Sequence, residues 1–128
     1  MYLVAMFPAA VAAILHVYIF VLESVLWTRP QARKVFGTTE QEAQATRELA
    51  FNQGFYNLFL AIVTLVGVVW LAVGGEEVGS ALVFAGAGSM MAAALVLGVT
   101  SPSKRGAAIK QGIFPLITVV LLLIAVLG

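Results

Sequence analysis

Four apolar stretches, each long enough to cross a bilayer, alternate in this chain with three short polar connections. In hydrocarbon every backbone N–H and C=O must find its partner within the protein, so stretches of this kind fold as helices packed side by side. The charges then orient them. All seven Lys and Arg residues lie in the first and third connections: Arg29, Arg33, Lys34 and Arg47, then Lys104, Arg105 and Lys110. The middle connection carries only Gly74, Gly75, Glu76 and Glu77. Because short basic loops stay on the cytoplasmic side, the pattern predicts a multi-pass membrane protein with both termini extracytoplasmic.

Composition narrows the class further. With 62% hydrophobic and 10% charged residues, a soluble chain of this size cannot hide its apolar surface, and a single membrane domain over 1–128 is expected. Cysteine is absent, which excludes disulfides, thiol catalysis and cysteine metal sites. A net charge of +1, confined to short connections, gives no footprint for nucleic acid. No cofactor and no metal site are expected. The partners expected are the lipid bilayer and a lipophilic small molecule, and a homo-oligomer is compatible with the sequence.

The reading is all-α: a four-helix transmembrane bundle with spans over about 2–27, 49–73, 78–99 and 107–127. The first stretch is a span rather than a cleaved signal, since it lacks a basic leader and contains His16 and Glu23. Thr28-Arg29-Pro30 stops it. Thr39 followed by Glu42 reads as a capping box, so the second helix is expected to start near Glu40 and run unbroken to Trp70 or Val73. The third stretch is rich in Gly and Ala, which let helix backbones approach closely in lipid. In the fourth, Pro115 withholds a donor from the Gln111 carbonyl and predicts a kink there.

A faint duplication is also visible. Thr28-Arg29-Pro30-Gln31-Ala32-Arg33 matches Thr100-Ser101-Pro102-Ser103-Lys104-Arg105 at Thr, Pro and Arg, and Gln53-Gly54 matches Gln111-Gly112. Two parallel-repeat helical hairpins would produce that pattern. Chance similarity between short apolar segments competes with this reading.

Polar side chains inside a bilayer are costly, so their convergence is informative. His16 and Glu23 are seven residues apart on the first helix, which returns them to one face two turns apart. Glu48, Asn52, Gln53, Tyr56 and Asn57 enter on the second helix at the depth of Glu23, and Gln111 enters on the fourth from the same side. Together they predict one polar cavity in the cytoplasmic half. Glu23 and His16 are the candidate catalytic pair. Glu48, Asn52, Gln53, Tyr56, Asn57 and Gln111 are the candidate substrate-binding residues. Each has a plainer reading: a histidine satisfied by a neighbouring helix, Glu23 paired with Arg47 or Arg29, and amides acting as hydrogen-bond glue between helices.

The strings Leu15-His16-Val17-Tyr18-Ile19-Phe20-Val21-Leu22-Glu23, Phe36-Gly37, Asn52-Gln53-Gly54-Phe55-Tyr56-Asn57 and Gln111-Gly112-Ile113-Phe114-Pro115 resemble a small four-span membrane family of unknown function, DUF1304. The resemblance implies four helices in an inner membrane and carries no activity with it. From the residues themselves the leading expectation is acid/base chemistry on a lipophilic small molecule, of isomerase, hydratase or cyclase type. A proton-coupled small-molecule transporter and a non-catalytic membrane accessory subunit are the alternatives.

Overall fold

The computed structural model describes residues 1–128, and they form six α-helices and no strand. Helix α1 covers Tyr2–Phe20 and continues into a π-helical turn over Val21–Val25. Two short helices follow, α2 at Pro30–Phe36 and α3 at Glu40–Ala45. Then come α4 at Arg47–Ala72, α5 at Glu76–Thr100 and, after a single 3₁₀ turn at Pro102–Lys104, α6 at Arg105–Leu127. Four helical segments are long and apolar enough to cross a membrane: Tyr2–Val25, Arg47–Ala72, Glu76–Thr100 and Pro102–Leu127.

These four close a ring. Helix α1 packs on α4, α4 on α5, α5 on α6, and α6 back on α1, while the diagonal pair α1 and α5 touches only slightly. The order is up-down-up-down, as short connections between antiparallel neighbours require. All the basic connections therefore collect at one end of the bundle, here called the basic end. The other, the turn end, holds the α4–α5 connection.

That connection is tight for a local reason. Gly74 adopts φ 88°, a left-handed conformation that costs glycine little. The Gly74 N–H donates to Leu71 O and the Gly75 N–H to Trp70 O, which is the Schellman closure of a helix C-terminus. Glu76 and Glu77 then occupy the first turn of α5, where the helix dipole favours negative charge.

Near this end lies the bundle's apolar core, built from Ala5, Ala9, Leu71, Val83, Ala87 and Leu122. Half of these are alanines, so the helices meet backbone to backbone with a few larger side chains between them. Helices α4 and α5 approach closely along this seam: a Cβ on Gly67 would stand 2.8 Å from the Val83 N, one on Gly79 2.8 Å from the Leu71 N, and one on Gly86 3.1 Å from both Cβ and N of Thr64. Packing of this kind, rather than hydrophobicity, holds helices together in lipid.

The structure corrects two expectations about helix continuity. The second helix is not unbroken from Glu40, because Thr46 leaves the helical region (φ −106°, ψ 8°) and separates α3 from α4. The Thr46 hydroxyl donates to Glu42 O at 2.7 Å and accepts the Trp27 indole N–H at 3.1 Å, tying the break to the end of the first span. Trp27 also packs on Phe36, with ring centroids 5.2 Å apart, which fixes α2 beneath it. Of the Thr39–Glu42 capping box one half is present, the Glu42 N–H donating to Thr39 Oγ1 at 3.1 Å, without a return bond from the Thr39 N–H to the Glu42 carboxylate. The second correction concerns the first span, whose last turns are π-helical rather than α-helical: Leu26 N–H bonds Val21 O at 2.9 Å, five residues back.

Candidate functional site

The widened turn puts Glu23 where it is. Ser24 donates from its hydroxyl to the Phe51 carbonyl of α4 at 2.7 Å. Gly54 makes this approach feasible, since a Cβ on that residue would collide with the Ser24 side chain. With α1 held so close to α4, the extra residue of the π-turn directs Leu22 and Glu23 into the bundle, and both are buried. Glu23 is only 4% exposed. Asn57 of α4 donates from Nδ2 to Glu23 Oε1, and the same amide reaches the Gln53 carbonyl at 3.3 Å. The partner of the buried carboxylate is thus an amide rather than Arg29 or Arg47.

Glu23 borders a recess of about 710 Å³ that opens at the basic end. Gln53 and Asn57 of α4 and Gln111 of α6 line it, with Ile19, Ala93 and Leu97 forming apolar wall. Lys34, Glu42, Ser103 and Lys104 belong to the mouth, together with Trp27, Phe36 and Thr38 of the capping segment. The Thr38 hydroxyl is buried there without a hydrogen-bond partner. The recess is lined about equally by polar and hydrophobic residues, and its volume lies within the range of roughly 300–1,000 Å³ over which small-molecule pockets spread.

The eight candidate residues separate into three groups. Glu23, Gln53, Asn57 and Gln111 share the recess. Glu48, Asn52 and Tyr56 do not: they are exposed on the outer side of α4, Tyr56 at 69%, and Asn52 bonds back to the Glu48 carbonyl at 3.0 Å. Two i, i+4 stripes explain the division. Residues 53 and 57 form one stripe and residues 48, 52 and 56 the other, about 100° away around the helix; the first borders the recess, with Gln53 still exposed, and the second points away from it.

His16 stands alone. It is 3% exposed and donates from Nδ1 to the Ala12 carbonyl at 2.8 Å, which leaves Nε2 as an acceptor. It neither lines the recess nor bonds Glu23. Seven residues of helix separate the two by ~10 Å along the axis.

The two Gln-Gly pairs occupy comparable settings. Gly54 meets Ser24 of the first span, and a Cβ on Gly112 would lie 2.9 Å from the Ala94 Cβ on α5. In each hairpin the second helix thus brings its glycine against a small residue of the first. Sequence reading missed Ser24, because nothing in the apolar string around it announces the π-turn. It also passed over Thr38, an ordinary loop residue until α2 and α3 fold over the bundle mouth.

No group of three or more His, Cys, Asp or Glu side chains is placed to hold a metal ion. Four apolar spans closed into a ring around a buried carboxylate define a multi-pass α-helical membrane protein. Within that class, the chain belongs to the family described as "Protein of unknown function (DUF1304)", whose model matches residues 10–123. No curated protein and no solved structure matches it.

Proposed function

We propose that the recess binds a lipophilic small molecule and that Glu23 exchanges a proton with it. The observation that carries this reading is a carboxylate 4% exposed, held by one amide, at the wall of a recess large enough for a ligand. A carboxylate in such surroundings needs a reason to be there, because a buried ionisable group inside a span is expensive. Asn57 holds one oxygen, and the other has no protein hydrogen-bond partner. In an isomerisation the carboxylate removes a proton from one atom of the ligand and returns it to another, so no further reactant is consumed. Gln53 and Gln111 supply amides across the recess to orient the ligand.

In this reading the basic end faces the cytoplasm and both termini lie outside the inner membrane. Cysteines introduced singly at Lys34 and at Tyr2 test the orientation, since the protein has none of its own. Labelling of position 34 from outside the cell overturns it.

The functional test is binding and turnover of co-purified lipophiles, identified by solvent extraction and mass spectrometry, across a pH series. Glu23→Gln is expected to keep the fold and lose the pH dependence. If Glu23→Gln and His16→Ala both keep wild-type affinity and pH profile, the acid/base reading fails. One observation favours a second reading. His16 adds another protonatable group, buried, on the line from the recess toward the turn end, as a proton-coupled transporter requires. Ligand-dependent proton flux in liposomes separates the two, because the enzyme gives none.

A further inference from the structure

A second concavity lies on the outside of the bundle, between α5 and α6, and shares no residue with the recess. Alternate faces of the same helices account for both: Ala93, Leu97 and Gln111 look inward, while Ala94, Gly98 and Gly112 form the floor of the outer groove. The floor is low because its residues are small. A Cβ on Gly98 would be 3.5 Å from the Ala108 Cβ, and one on Gly112 would be 2.9 Å from the Ala94 Cβ. Leu95 and Val99 on one side and Ile109 and Ile113 on the other stand up as walls. The groove holds about 520 Å³.

Its charge is confined to one place. Arg105 is the only charged residue lining the groove, and it sits at the basic end, at the start of α6. Its Nε–H donates to the Gly98 carbonyl at 3.0 Å, which holds the guanidinium over the groove mouth with both Nη groups left as donors. None of the six carboxylates of the chain lines the groove to neutralise it. An apolar channel parallel to two membrane-crossing helices, closed at the interface by a fixed fork of N–H donors, has the polarity of an amphiphile with an anionic head.

We propose that this groove is a binding site for an anionic phospholipid of the surrounding bilayer. One acyl chain lies along the floor over Gly98 and Gly112, and the phosphate rests on the Arg105 guanidinium. Phosphates sit at the depth where span ends meet water, so chain and head are satisfied together.

The test is native mass spectrometry of the full chain released from micelles containing equal phosphatidylglycerol and phosphatidylcholine. The wild type is expected to retain phosphatidylglycerol several-fold over phosphatidylcholine. Arg105→Gln is expected to bring that ratio near one, whereas the double variant Lys104→Gln/Lys110→Gln keeps it. Gly98→Leu, which fills the floor, lowers retention of both lipids. Equal retention by the wild type overturns the proposal. So does an equal loss in the double variant, since the preference would then belong to a diffuse basic surface. A measurement on the unaltered protein removes any dependence on variants that fold badly: phosphatidylglycerol with a photoactivatable acyl chain is expected to label Leu95, Val99, Ile109 and Ile113. Labels spread evenly over the four spans refute the site.

Discussion

The two ends of the bundle are built from the same four helices by different rules. At the turn end, alanines and glycines bring backbones together, one Schellman closure connects α4 to α5, and the core of Ala5, Ala9, Leu71, Val83, Ala87 and Leu122 is closed. At the basic end, regular structure gives way: a π-turn, a helix break at Thr46 and two short capping helices surround a recess. The contrast follows from what each end has to bury. Close packing needs regular helices with small residues in register. A polar recess needs the register broken, so that costly side chains point at one another instead of at lipid.

The largest loss of stability is expected at the turn-end seam. Gly86→Leu forces a side chain into Thr64 and is expected to destabilise the protein by about 3 kcal/mol or more, or to prevent assembly, read as a lowered thermal midpoint in detergent. Leu122→Ala leaves a cavity in the core and is expected to cost about 2 kcal/mol in the same measurement. Glu23→Gln, at the other end, keeps shape and volume, and its midpoint should move far less than that of either seam variant. A loss from Glu23→Gln matching Leu122→Ala would show that the carboxylate is structural and that the two ends are not different in kind.

Access sharpens the comparison further. Cysteines at Gln53 and Gln111 are expected to react with a water-soluble maleimide at least tenfold faster than a cysteine at Ala87, which is fully buried. Equal rates would mean that the recess is dry or that the core is open. The smallest effect belongs to the cap. Trp27→Phe removes the indole bond to Thr46 while keeping the stack on Phe36, and should cost about 1 kcal/mol. Faster cysteine labelling at Gln53 in this variant would show α2 and α3 loosening over the mouth.

How much of this was legible follows from the range of the interactions involved. Span number, the antiparallel order and the Thr39 cap depend on composition and near neighbours, so the chain displays them directly. Grouping was legible too: Glu23, Gln53, Asn57 and Gln111 all lie toward the basic ends of their helices in sequence, and the fold gathers them around one recess. Azimuth was not. Residues one position apart on α4 diverge by ~100°, and nothing in the polar run Glu48 to Asn57 tells which stripe faces inward until α1 is docked against Gly54. The π-turn and the Thr46 break were hidden for a related reason. Each is fixed by a contact with another helix, Ser24 with the Phe51 carbonyl and Trp27 with the Thr46 hydroxyl, and local sequence carries no mark of either.

The π-turn has one more effect. In a uniform α-helix the azimuth of every residue is locked to that of all the others, so rotating the Ala5–Ala9–Ala13 face into better contact would swing Glu23 by the same angle. The extra residue at Val21–Val25 acts as a phase shifter between two lengths of one helix. The upstream face and the downstream carboxylate are thereby set at an angle to one another that a uniform α-helix would not give. One continuous helix so presents its alanines to the apolar seam and its carboxylate to the recess at the same time.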